Sequence, residues 1–231
     1  MNFILDGLLS AIKLLISFDK EVYSIAFVSV KITIISTFIA TIIGLIVGFL
    51  LGLNKFKYKS LIVIFLNTLL AIPTVLIGLL VYAFISRQGI LGRFDLLYSQ
   101  WAIIIGQSIL AFPIIASLSL AALESLDKRV KNTLLTLGAS RVKMIYFIFI
   151  EGRYALLASI IAGFGRVFAE VGISMMLGGN INGVTRTITT AIAFETGKGE
   201  FALGVALGLI LLFISLIINM GFHFIQRRKF A

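Results

Sequence analysis

The chain has no cysteine, one histidine and two prolines among 231 residues, and only 13% of its residues are charged. Without cysteine there is no disulfide framework, no thiol nucleophile and no thiolate metal site. The single histidine, His223, lies near the end of the last apolar run. It reads as interfacial, because metal and acid/base sites need convergent groups. No GxxxxGK[ST] segment occurs, so the chain offers no phosphate loop for ATP, and any ATP-driven work needs an ATPase on another chain.

What is abundant is apolar. Sixty per cent of the residues are hydrophobic and the mean hydropathy is +1.12, far above a soluble domain. About 20 apolar residues cross a bilayer as helix. Five runs reach that length: Ile32–Leu53, Leu61–Ile85, Trp101–Leu123, Tyr154–Leu177 and Phe201–Ile225. The expected fold class is therefore an all-α integral membrane protein, five transmembrane helices plus a short N-terminal helix, as one domain over residues 1–231. Residues 1–22 are amphipathic, interrupted by Asp6 and Lys13, with no basic leader and no small-residue cleavage pattern. They are expected to form an interfacial or packed helix, not a signal peptide.

The net charge of +10 raises nucleic acid as a partner, but the cations lie between the apolar runs. Lys55, Lys57 and Lys59 occupy the first connection. Lys128, Arg129, Lys131, Arg141, Lys143 and Arg153 occupy the third, and Arg227, Arg228 and Lys229 the tail. The second and fourth connections balance cations with acids: Arg87 and Arg93 with Asp95, Arg186 and Lys198 with Glu195 and Glu200. This alternation is the positive-inside pattern. It predicts a cytoplasmic first and third connection and C-terminus, an N-terminus outside, membrane lipid as a partner and no nucleic acid. Lys31 is expected at the outer end of the first span, snorkelling to the interface.

Within the runs, Gly44, Gly48 and Gly52, and again Gly204 and Gly208, recur at four-residue spacing, which lets helices approach closely in lipid. Packing within one subunit is the simpler expectation than a dimer seam. Pro73 and Pro113 each interrupt a run, and such breaks either line cavities or are plain kinks. Arg166 and Glu170, in "GRVFAE", fall at i,i+4 inside an apolar run. A lone charge at mid-bilayer costs roughly 3 kcal/mol or more, so the two are expected to pair with each other or face a polar cavity, as architecture or as function. Gly179, Asn180 and Arg186 are candidates for an outer mouth, with Pro73 on a path; an ordinary turn-rich loop explains the first three equally.

The third connection, "ALESLDKRVKNTLLTLGASRVKMIYFIFIEGRY", is long, basic and amphipathic. It reads as helix, Gly-Ala-Ser turn, helix: Gly138 takes the left-handed backbone at a helix end and Ser140 caps the next helix. A hairpin lying on anionic lipid is one reading. The leucines Leu134, Leu135 and Leu137 ahead of the turn favour a protein groove.

This hairpin resembles the cytoplasmic loop of ABC importer membrane subunits, whose pattern is EAA, three residues, Gly, nine residues, then I-x-L-P. Gly138 and Ile148 stand at the Gly and Ile positions and Ile150 at the Leu. Asn132, Thr133 and Leu134 replace EAA, and Glu151 replaces the proline. "AIPTVLIGLLVYAFISRQGILG" and "EVGISMMLGGNINGVTRTITTAIAFETGKGEFALG" are similar to the molybdate, sulfate and tungstate branch, nearest its tungstate-type members. The resemblance covers Tyr23 to the C-terminus. It implies a type I importer permease in a prokaryotic cell membrane, dimeric, with a path between two copies, and not itself an enzyme. ATP and Mg would sit on a partner ATPase, and this chain would bind no cofactor or metal. The ATPase would dock on residues 124–153 through Asn132, Thr133, Leu134, Leu135, Leu137, Gly138, Ala139, Ser140, Arg141, Lys143 and Ile148. An extracytoplasmic oxyanion-binding protein would deliver tungstate, then molybdate or sulfate in order of expectation. An ion-coupled secondary transporter or channel is the alternative, but it predicts titratable groups across several spans and internal repeats, and neither occurs. A membrane enzyme would need clustered His, Asp or Ser groups.

Overall fold

The computed structural model describes residues 2–17, 19–54 and 56–227. Lys55, Arg228 and Lys229 lie outside the described residues. So do the side chains at positions 2–4, 6, 7, 11, 15, 128, 131, 135, 223 and 225–227, among them Asp6, Leu135 and His223.

The described residues are helical almost throughout. In chain order the helices are α1 (Asn2–Ile16), α2 (Lys20–Leu53), α3 (Lys59–Leu70), α4 (Thr74–Ile85), α5 (Gln100–Glu124), α6 (Lys128–Thr136), α7 (Arg141–Phe168), α8 (Gly172–Gly178), α9 (Ile188–Lys198) and α10 (Phe201–Arg227). Four helices are long and apolar enough to span a membrane by themselves, and the α3–α4 pair makes a fifth span if counted as one.

The central element is α5, against which α2, α7, α8, α3 and α4 all pack. Its contact with α2 follows from small residues. A Cβ on Gly44 would stand 2.9 Å from Ile115 Cγ2, and one on Gly48 2.8 Å from Ser119 Cβ. The glycine ladder thus seats α2 on α5 within the subunit. Gly208 has no heavy atom within 4 Å of its Cβ position, so it serves no such contact here. Around α5, Ile77, Val81 and Ile85 of α4 meet Ile173 and Leu177 of α8. A second core joins Val22 and Ile25 of α2, Phe164 and Phe168 of α7, Ile188 and Ala191 of α9 and Leu207 and Ile210 of α10. Elsewhere Phe27, Phe38, Leu61, Phe65 and Phe213 are exposed, as expected where lipid replaces water.

Four expectations need correction. The first span starts at Lys20, not Ile32, capped by the Asp19 carboxylate on the N–H groups of Glu21 and Val22. Its 34 residues extend about 51 Å, well beyond a hydrocarbon core of about 30 Å. Lys31 is consequently interior to α2, where its Nζ donates to Gln100 Oε1 at 3.0 Å. The second run is two 12-residue helices bent by 100°, with Pro73 at the junction as the N-cap of α4. Proline disfavours helix for the residue before it and has no N–H to continue the ladder. Pro113, by contrast, stays inside a continuous α5. The fourth span begins at Arg141 and ends at Phe168, so Glu170 lies past the helix end. The fourth connection also contains a whole helix, α9, which the apolar runs did not signal.

Candidate functional site

The hairpin is built by local backbone chemistry. The Asp127 carboxylate accepts from Arg129 N–H at 2.8 Å and opens α6. At its end Gly138 has φ +67° and the Ala139 N–H reaches back to the Leu134 carbonyl at 3.0 Å, the six-to-one bond of a Schellman cap. Ser140 then caps α7, its Oγ accepting from Lys143 N–H at 3.4 Å. Nothing lies within 4 Å of a Cβ on Gly138, so glycine is required here by backbone angle and not by space. α6 packs on α7. Ile148 is buried and Leu134 half-buried, whereas Asn132, Thr133, Ser140, Arg141 and Lys143 are exposed and Leu137 is 76% exposed. An apolar, uncovered turn flanked by cations is a surface suited to another protein.

A second polar place lies 25 residues along α7 from Arg141, at the break between α7 and α8. Arg166 Nη1 donates to Glu170 Oε2 at 2.7 Å, although Glu170 has left the helix. The other carboxylate oxygen accepts the Ile173 N–H at 3.3 Å, and the Glu170 carbonyl, freed by the break, accepts from Thr189 Oγ1 at 2.7 Å. The Glu170 side chain is 4% exposed, that of Arg166 42%. The acid is thus locked into the protein, while the Arg166 side chain stays partly exposed. Gln107 braces this region from α5: its Oε1 accepts from Ser36 Oγ at 3.1 Å and its Nε2 donates to Ser174 Oγ at 3.2 Å. A Cβ on Gly172 would lie 3.3 Å from both Glu170 Oε1 and Thr74 Oγ1, so the start of α4, just after Pro73, reaches the same break.

The third place is the loop between α8 and α9. Gly179, Asn180 and Gly183 have φ of +67°, +52° and +72°. A Cβ on Gly179 would stand 2.8 Å from the Tyr98 ring, and the Tyr98 N–H donates to the Leu177 carbonyl. Thr185 Oγ1 donates to the Gly178 carbonyl and accepts from Ile181 N–H. This is a fixed turn with Asn180 Oδ1 buried and unpartnered among the described residues. Arg186 is only 11% exposed, 3.3 Å from Glu21 Oε1 and 3.6 Å from Glu195 Oε1. Lys198 closes the cluster 3.2 Å from Glu195. Arg186 therefore ties the loop to α2 and α9 and is not a free cation at an entrance. Beside this loop a polar cavity of about 570 Å³ is lined by Tyr82, Ser86, Arg87, Gln88, Asp95 and Tyr98.

The residues singled out from sequence thus form three separate places: the hairpin, the α7–α8 break with Pro73 nearby, and the Gly179–Arg186 turn. Residue reasoning missed Gln107, Ser36, Ser174 and Thr189, single polar groups whose partners are up to 71 residues away in sequence. It also missed Glu21 as the partner of Arg186, because α2 was expected to begin after it.

The family described as "Binding-protein-dependent transport system inner membrane component" matches residues 40–230. The tungstate uptake system permease protein TupB of Campylobacter jejuni is 42% identical over 227 residues, covering 98% of this chain and 95% of that protein. TupB of Peptoclostridium acidaminophilum is 37% identical over 226 residues, with 98% and 99% covered. In architecture the chain is similar to a structure titled "Inward facing conformations of the MetNI methionine ABC transporter", with a TM-score of 0.72 at 19% identity, covering 87% of this chain and 93% of that one. With these matches over nearly its whole length, a fold of packed spans and no phosphate loop of its own, the chain belongs to the inner membrane components of binding-protein-dependent transport systems, the permease subunits of ABC importers.

Proposed function

We propose that this permease carries tungstate into the cell, ahead of molybdate and sulfate. The observation that carries the substrate is end-to-end similarity to two tungstate permeases, which extends through the α7–α8 break and the Gly179–Arg186 turn. Two copies face each other across a path, and the partly exposed Arg166 and the bend at Pro73 line it. A half-exposed cation inside a span needs a polar surface, and a path between two copies supplies one. The hairpin faces the cytoplasm with α2 entering from outside, in line with the alternating cations. An ATPase subunit covers Leu134 and Leu137, with Lys143 at the polar rim. ATP and Mg act there, and a binding protein delivers the oxyanion at the opposite face. Gly138 and Ser140 hold the turn rigid, which a lever passing ATPase closure to the spans requires.

The test is metal accumulation in cells with and without this chain, measured by elemental mass spectrometry. Tungsten uptake should fall on deletion while molybdenum uptake in excess molybdate falls less. Equal loss of both, or loss of sulfate uptake alone, would overturn the substrate assignment.

A further inference from the structure

We propose that the groove between the end of α2 and the start of α7 is a binding site for one anionic phospholipid, its phosphate at Arg141 and an acyl chain along the groove. The groove encloses about 980 Å³. Ile46, Phe49 and Leu53 form one wall and Val142, Ile145 and Phe149 the other. The Phe49 and Phe149 rings stack across it, 6.2 Å apart at 30°. From Leu45 to Asn54 its α2 wall runs about 14 Å. That is close to one leaflet of hydrocarbon, about 15 Å.

The occupant follows from what the lining lacks. Among the described residues no carboxylate lines the groove, and none forms an ion pair with Arg141; the one charge in the described lining is that guanidinium. An extended protein segment entering the groove would bring backbone N–H and C=O groups that an apolar lining leaves unsatisfied, and a helix, which satisfies its own backbone, would still need an acid to meet Arg141. An acyl chain brings none, and its phosphate offers Arg141 the acceptors that the groove lacks. Because Ala139 also lines the groove, the lipid sits at the root of the hairpin turn and would sense its movement. The proposal does not depend on which anion is carried or on which side the hairpin faces.

The experiment places a tryptophan in the groove, Phe149→Trp, with Trp101→Phe removing the native indole, in the complete transporter with its ATPase subunit. Transporter with Trp101→Phe alone gives the background. Reconstituted into vesicles containing brominated phosphatidylglycerol or brominated phosphatidylcholine, the groove indole should be quenched with about five-fold preference for phosphatidylglycerol, the gain one cation makes near an anionic headgroup. Arg141→Gln should bring that preference to one. Equal quenching by both lipids with Arg141 present overturns the headgroup site. Absence of quenching by either lipid shows that protein covers the groove, and overturns it also. Should the tryptophan variant fail to fold, native mass spectrometry of the unaltered complex and of Arg141→Gln decides: one retained anionic lipid per permease, lost in Arg141→Gln, supports the site, and equal retention refutes it.

Discussion

The Arg166–Glu170 pair predicts an asymmetry between its two single substitutions. Arg166→Gln leaves the Glu170 carboxylate 4% exposed with the Ile173 N–H as its remaining donor. Stranding a buried charge typically costs about 3–5 kcal/mol. Since the arginine is 42% exposed the pair is not wholly desolvated, and about 2–3 kcal/mol is the better expectation. That is a roughly 30- to 150-fold shift in the folding equilibrium. Glu170→Gln is milder, about 1 kcal/mol, because an amide oxygen still accepts from Ile173 and the half-exposed guanidinium can turn outward. The double change to Gln at both positions should recover most of what Arg166→Gln loses. Denaturant titration of detergent-solubilised protein, followed by helical signal and by the monodisperse fraction on gel filtration, measures all four corners of the cycle. Equal losses for the two single variants would refute the burial argument. Losses that add to within about 0.5 kcal/mol in the double variant would refute direct coupling.

Three further outcomes are expected. Gly138→Val places a β-branched residue at φ +67° with free space around it, so the spans should insert normally while the turn is strained by about 1–2 kcal/mol; ATP hydrolysis uncoupled from uptake, or release of the ATPase subunit on affinity purification, is the readout. Gly48→Ala should destabilise the α2–α5 seam by about 1–3 kcal/mol in thermal melts, because its Cβ meets Ser119 Cβ at 2.8 Å and the Ala116 carbonyl at 3.2 Å, whereas Gly208→Ala, which meets nothing, should be neutral. Lys57→Cys should react with an impermeant thiol reagent only in opened cells and Ile90→Cys from outside intact ones; the absence of native cysteine makes both signals clean.

The long apolar spans and the hairpin turn were legible because each rests on local physics. A run of 20 apolar residues has few other solutions, and the Gly138, Ser140 pair encodes both a helix end and a helix start within three positions. Span boundaries were less legible. Hydropathy marks where lipid ends, not where hydrogen bonding ends, so α2 continued N-terminally through Glu21 and Tyr23 once Asp19 capped it. The α7–α8 break was hidden for the opposite reason. Residues 169–171 are as apolar or helix-compatible as their neighbours, and what stops the ladder is tertiary: Thr189 and Gln107, through Ser174, hold the groups around Glu170 from other helices. α9 was missed because its N-terminal cap is Thr187 with Thr190, a threonine pair where a carboxylate or amide is the familiar partner.

The charges carry a last step. Arg87 lies 4.0 Å from Asp95, Arg186 lies 3.3 Å from Glu21, and Arg166 lies 2.7 Å from Glu170. Each of these three arginines has a carboxylate at hand, so under the proposed oxyanion transport a tetrahedral dianion passing them would meet tempered attraction. For an importer this is the useful arrangement. A bare arginine in a low-dielectric path would bind the dianion strongly and slow its exit, whereas a cation already shared with a fixed carboxylate can steer the ion and release it. Under the proposed function capture would fall to the binding protein, and the permease would need only to avoid holding what it passes.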